Sequence, residues 1–183
     1  MYEENYPRKR YKLTLDFINK YISKDDVILD LGVDNPLSKL LKLKGYNVSN
    51  TNGEDLDTDF KAVEKNNADV ICAFQILEHL VSPYNILTRT KAKKLIASIP
   101  LKLWFAKAYR NYKDPRDCHY HEFEDWQFDW LLEKSGWKII KKEYWTNPAN
   151  KIGLRPFLRL FVKRYYAVSV SYTHLTLPTI LLV

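Results

Sequence analysis

Five consecutive apolar residues, Val70-Ile71-Cys72-Ala73-Phe74, stand between Asp69 and Gln75. A run that is apolar on every side, bounded by polar residues and too short for a helix core, is the pattern of a parallel strand buried on both faces. Val27-Ile28-Leu29-Asp30-Leu31-Gly32 and Lys94-Leu95-Ile96-Ala97-Ser98-Ile99-Pro100 have the same character, the first ending in an acid and a glycine and the second closed by proline. Helix starts fall between them. Asn35-Pro36 and Ser82-Pro83 each pair an N-cap residue with proline at the first helical position, and the apolar residues that follow recur at helical spacing. Strand, helix, strand alternation of this kind predicts an α/β fold: a single Rossmann-like, doubly wound, mainly parallel sheet with right-handed crossovers and helices on both faces.

The remaining elements are less sharply written. Tyr11 to Ile22 has amphipathic helical spacing, with Lys42, Lys44 and Gly45 closing the helix that Asn35 opens. Tyr46 to Asn50 reads as a weaker second strand, and the acidic stretch from Gly53 to Phe60 leaves little room for a helix. After the strand at residues 94–100 a long excursion passes Trp104 and Tyr109 and turns at Asp114-Pro115-Arg116-Asp117; such excursions usually carry function. A helix over Glu124 to Ser135, a strand over Trp137 to Trp145, a helix over Leu154 to Val162 and a last strand over Tyr165 to Val168 complete the chain.

With 183 residues and 46% hydrophobic content the sequence can bury one sizeable core. Cys72 in a core strand and Cys118 in a polar loop suggest neither a disulfide framework nor a paired metal motif, so a reducing, cytoplasmic setting is expected. No signal-peptide pattern opens the chain and no apolar run reaches bilayer length, which predicts a soluble protein. The 29 Lys and Arg outnumber the 22 Asp and Glu, and the excess lies late, at Lys138, Lys141, Lys142, Lys151, Arg155, Arg159, Lys163 and Arg164. That surface suits anionic lipid heads or phosphates, and peripheral membrane contact through the helix at Leu154 to Val162 is one reading of it. No groove-reading or base-stacking motif accompanies the charge, so no specific nucleic-acid partner is expected. Val170 to Thr179 resembles an in-frame translation of a transposon-type sequencing adapter; on that reading the domain spans residues 1–168, residues 170–183 are non-native, and His174 has no role.

In open α/β sheets ligands bind beyond the carboxyl ends of the strands, and Gln75-Ile76-Leu77-Glu78-His79-Leu80 begins where the central strand stops. The order Ile28-Leu29-Asp30-Leu31-Gly32, Gly45-Tyr46-Asn47-Val48, Asp69-Val70-Ile71, Leu77-Glu78-His79-Leu80, Pro83, His121-Glu122-Phe123 and Leu131-Leu132-Glu133-Lys134-Ser135-Gly136-Trp137 resembles class I S-adenosylmethionine-dependent methyltransferases, closest to the small bacterial type 11 and type 23 domains. The likeness covers roughly Tyr11 to Val168. It implies a sheet of about seven strands, S-adenosyl-L-methionine as cofactor, and methyl transfer to an oxygen, nitrogen or carbon nucleophile of a small-molecule, sugar or lipid-intermediate acceptor. Asp30 and Gly32 would hold the cofactor loop and amine, Asn52 or Glu54 the ribose hydroxyls, Asp55 or Asp57 the adenine amine, and Phe74 and Gln75 the adenine side of the crevice. Amides at the start of the helix after Asn35 would meet the cofactor's carboxylate. Asp34 and Pro36 stand where the family has glycines, and Asn52 where it has an acid.

For catalysis, His79 is a candidate general base or substrate-orienting group, because imidazole titrates near neutrality and an oxygen or nitrogen acceptor must lose a proton. Glu78 would orient it, and His121 is a second candidate for substrate contact. Trp104, Tyr109, Tyr112 and Tyr120 would wall the acceptor pocket. Asp117-Cys118-His119-Tyr120-His121-Glu122 contains every ligand type a transition metal takes, but neighbours on one loop rarely complete a site and no partner pair of Cys or His is evident elsewhere, so no metal is expected. Two rival readings are a methyltransferase-like scaffold without turnover, suggested by Asp34, Pro36 and Asn52, and a nicotinamide-dependent oxidoreductase, which lacks its three-glycine fingerprint here.

Overall fold

A computed structural model describes residues 8–114, 117–146 and 153–173. In chain order the elements are α1 Arg8–Tyr21, β1 Val27–Asp30, α2 Pro36–Leu43, β2 Asn47–Asn50, α3 Lys61–Glu64, β3 Val70–Phe74, a single 3-10 turn Leu77–His79, α4 Pro83–Arg89, β4 Lys94–Pro100, α5 Asp125–Lys134, β5 Trp137–Thr146, α6 Leu154–Phe161 and β6 Lys163–Tyr172. They form one sheet in the order β2-β1-β3-β4-β6-β5, with β6 antiparallel to both neighbours and the other strands sharing one direction.

Burial on both faces explains the strand sequences. Ile28, Val70, Cys72 and Ile96 pack into one core with Phe17, Ile18, Leu37 and Leu41 from α1 and α2. Their neighbours Leu29, Ile71, Ala73, Leu95 and Ala97 face the opposite core, filled by Val63, Ile86, Leu87, Phe128 and Leu132 from α3, α4 and α5. A strand whose odd and even residues are both desolvated must be apolar throughout, and that is why β3 carries no polar alternation.

The sheet has six strands where about seven were expected. The connection from β2 to β3 carries Asp55, Asp57 and Asp59, residues poorly suited to a strand, and supplies only the four-residue α3. At the other end β6 runs past the expected stop at Val168: Val170 is buried, Tyr172 donates its amide to Lys93, and the Thr173 amide donates to Gly136. The adapter-like stretch thus begins inside a strand, while residues 174–183, His174 among them, lie outside the described residues. Among the described residues no helix is long and apolar enough to cross a membrane.

Because β2 lies to one side of β1 and β3 to the other, the chain reverses direction across the sheet between β1 and β3. A crevice opens at such a switch point, outside the carboxyl ends of the strands.

Candidate functional site

Three corners meet there. Gly32, just past β1, adopts φ +103°, and its amide donates to Thr51 Oγ1 at 2.7 Å just past β2. A Cβ on Gly32 would sit 3.5 Å from Ile76 Cδ1 in the turn after β3, and one on Gly53 only 3.1 Å from Val33 Cγ1. Gly32, Thr51 to Gly53, and Phe74 to Ile76 therefore share one rim.

Asp30 lies under this rim, 1% exposed. Its Oδ2 accepts from Asn50 Nδ2 at 3.2 Å and Asn35 Nδ2 at 3.4 Å. Burial pushes its carboxyl up to about 7, although the bonds from Asn35, Asn50 and Ser38 favour the ionised form. A cationic group brought alongside would complete the stabilisation of the carboxylate that these neutral donors begin.

Asn50 was not anticipated. At the end of β2 its Nδ2 also reaches Gly32 O at 3.4 Å and Ser38 Oγ at 3.2 Å, tying the first corner to the second. An Asn in a polar strand that also carries Asn47 gives no sequence signal for such a role. Asn52, by contrast, is exposed, and its amide donates to Glu54 Oε2 at 2.6 Å, so the acid at this corner is Glu54.

The start of α2 departs from expectation. Asn35 Oδ1 accepts from the amides of Leu37 (2.9 Å) and Ser38 (3.1 Å), the Lys39 amide bonds Asn35 O, and Pro36 has none. The cap that makes this helix start so legible consumes the amides expected to face an anion. The Val33 and Asp34 amides make no hydrogen bond among the described residues, which leaves the loop itself as the donor surface. Asp34 does not repel an anion there unopposed, because Lys42 Nζ at 2.8 Å and Lys39 Nζ at 3.8 Å pair with it, the Lys42 bond holding its carboxyl below the usual range.

Asp57 acts as a clamp. Its two oxygens accept the amides of Val81 and Ser82, each at 2.8 Å, and so hold the start of α4, which Ser82 was expected to cap with its own side chain. Phe74 is half-buried, and Gln75 holds the left-handed φ of +58°. That strained conformation is fastened by the Gln75 amide to Ser98 O (2.8 Å) and by Gln75 Nε2 to Ser98 Oγ (3.2 Å).

Beyond Gln75 the 3-10 turn presents Glu78 and His79. Glu78 is 1% exposed, neither carboxylate oxygen has a hydrogen-bond partner among the described residues, and burial pushes the group up to about 8. The amides of Tyr120 and His121 donate to Glu78 O at 2.9 and 3.2 Å, which brings the 101–123 excursion onto the turn. His119, rather than His121, then meets His79, their rings perpendicular with centroids 4.9 Å apart. His121 Nε2 engages Val81 O at 3.1 Å and its ring stacks on Phe123. Burial and the neighbouring His119 lower the His79 pKa, leaving a neutral imidazole near neutral pH. Of the four aromatic residues expected to wall an acceptor pocket, Trp104 and Tyr112 are largely exposed, while the Tyr109 ring lies 5.2 Å from that of His119.

These residues suit an adenosyl amino acid. The donor set contains a buried acid able to pair with an amine, two loop amides without a hydrogen bond among the described residues that could meet a carboxylate, and in Glu54 an acceptor for hydroxyls.

No protein-family model matches the sequence, and no curated protein matches it either. Solved structures do match. The complex between the Trm112 methyltransferase activator of Haloferax volcanii and a methyltransferase aligns over 91% of this chain and 91% of that one, at 9% identity and a TM-score of 0.65. A SAM-dependent methyltransferase from Archaeoglobus fulgidus aligns over 90% of this chain and 94% of its own, at 16% identity and 0.60. The N-terminal domain of EvdMO1, solved with S-adenosylhomocysteine bound, aligns over 91% and 81%, at 13% identity and 0.52. With its parallel strands, single antiparallel β6 and site at the β1/β3 switch point, this chain has the fold of the class I S-adenosylmethionine-dependent methyltransferases.

Proposed function

We propose that the protein binds S-adenosyl-L-methionine and transfers its methyl group to a small-molecule, sugar or lipid-intermediate acceptor. The observation that carries this reading is the meeting of the Gly32, Thr51 to Gly53 and Phe74 to Ile76 corners above the buried Asp30. Asp30 takes the amine, the Val33 and Asp34 amides the carboxylate, Glu54 the ribose, and Phe74 with Gln75 the adenine side. The cofactor supplies an activated methyl group when bound. The chain's share is alignment and exclusion of water, which account for most of the rate gain when the electrophile is already activated. Glu78 and His79 stand one turn beyond the adenine corner, where an acceptor hydroxyl or amine would surrender its proton.

An apolar or lipid-linked acceptor is supported by α6. It joins the end of β5 to the start of β6, at the same end of the strands as the site though on the far side of the sheet, and leaves Leu154, Phe157, Leu160 and Phe161 exposed.

The test incubates the purified protein and a cell extract with methyl-labelled cofactor and divides the products between aqueous and organic phases. Label in the organic phase identifies a lipid-linked acceptor, and label in the aqueous phase a polar one. Tight binding of S-adenosylhomocysteine with no label in either phase would replace the enzyme by a binding module.

A further inference from the structure

Glu78, His79 and His119 each offer one ligand atom, and these atoms all lie within 4.8 Å of one another. Two come from the 3-10 turn after β3 and the third from a loop about forty residues later. In the sequence the 117–122 loop has no evident distant partners for a metal; folding brings Glu78 and His79 to it.

The surroundings of the three groups are those of a ligand set. Glu122 Oε1 lies 2.8 Å from His119 Nδ1, which leaves Nε2 as the free nitrogen. The His79 ring is positioned edge-on against that of His119, with the Cys118 backbone acting on it from nearby. An imidazole held from behind by a carboxylate, as His119 is by Glu122, is the usual supporting arrangement of a metal-bound histidine, fixing tautomer and direction. Against the two rings stands Glu78, buried with both oxygens unpartnered among the described residues. Such an acid is costly to bury alone, and a cation between it and two imidazoles removes the cost. After burial, the backbone amide of Glu78 itself and the charges of Arg10 and Arg164 favour the ionised form, while the charge of Glu122 opposes it.

We propose that Glu78, His79 and His119 bind one divalent transition-metal ion, with Glu122 as the positioning residue for His119. Two nitrogen donors and one carboxylate favour zinc, iron(II), cobalt or manganese over calcium or magnesium. Donors about 2.1 Å from a shared ion lie roughly 3 to 3.6 Å apart, so closing the set needs side-chain adjustments of about 1 Å. Three protein ligands leave coordination positions open, and the site lies past the end of β3. In the methyl-transfer reading, on which only this role depends, the open position takes an acceptor oxygen and lowers the pKa of its proton, so that the two histidines serve as ligands instead of as bases.

The test needs no cofactor. Tag-free protein is stripped with a chelator, then titrated with zinc and with cobalt(II), with metal content, visible absorption of the cobalt form and melting temperature as readouts. One equivalent per chain, cobalt d–d bands of a nitrogen- and oxygen-ligated centre, and a rise in melting temperature are expected. Glu78→Gln and His119→Ala lose the bound equivalent, and Glu122→Gln keeps it with affinity lowered about 10- to 100-fold. No uptake by the wild type at millimolar metal, or uptake unchanged in Glu78→Gln and His119→Ala, overturns the proposal. Circular dichroism separates misfolded variants, and the wild-type titration decides the question without them. Binding of S-adenosylhomocysteine to the stripped protein is measured in parallel, so failure of the metal site and failure of the methyltransferase reading are distinct results.

Discussion

Asp30 is the residue on which chemistry and stability meet. Its folded pKa of about 7 lies above the ordinary value of 3.8, so the fold holds the proton more tightly than the unfolded chain does. The stability tied to that proton is complete below the unfolded pKa and is lost as pH rises through the folded one. Between about pH 5.5 and 7.5 this amounts to about 2 kcal/mol, so the melting temperature of ligand-free wild type should fall over that range more steeply than that of Asp30→Asn. Parallel slopes would show that Asp30 is ionised throughout. Because an amine beside Asp30 favours the carboxylate, binding of S-adenosylhomocysteine near pH 6 should also release a proton, read as a dependence of the calorimetric heat on the buffer's ionisation enthalpy. At Gly32 the limit is conformation, since a Cβ would meet Ile76 at an ordinary 3.5 Å. Gly32→Ala should cost about 1 to 2 kcal/mol by denaturant unfolding, for placing an L-residue at φ +103°. The positions of Asp30 and Gly32 were readable because both sit at the end of an unmistakable strand. Asn50, His119 and the unpartnered Glu78 were not, since each matters only through what the fold places against it.

At the scale of elements, the strands and capped helices were legible because their causes are local. Burial on both faces writes continuous apolar runs into β1, β3 and β4, and Asn35 with Pro36 writes the start of α2. The connections were not, because their bonds span long separations. Asp57 bridges to Val81 and Ser82 across some two dozen residues, and nothing periodic marks it. Asp57→Ala leaves two helix-start amides unpaired and should lower stability by about 1 to 2 kcal/mol, measured by denaturant unfolding. An unchanged midpoint would mean that water replaces the carboxylate without loss. The length of β6 is a second case, since Val170 and Tyr172 are paired within the sheet beyond the expected end at Val168. A chain ending after Val168 should be less stable than one ending after Thr173 by about 2 kcal/mol, the burial of Val170 alone. Equal melting temperatures would show that the sheet does not need these residues.

For the whole molecule, strand order decides what the residues can do. Placing β1 between β2 and β3 brings the acid of one strand, the asparagine of the next and the strained turn of the third to a single rim, though they are far apart in the chain. The same order carries the 101–123 excursion back over the turn after β3, setting His119 against His79. Methyl transfer requires that rim to receive an adenosyl amino acid. Calorimetric titration with S-adenosylhomocysteine at neutral pH measures it most directly. A saturable one-to-one isotherm, weakened at least about tenfold by Asp30→Asn, is the predicted result. The absence of any binding heat, together with an unchanged melting temperature at millimolar ligand, would contradict it.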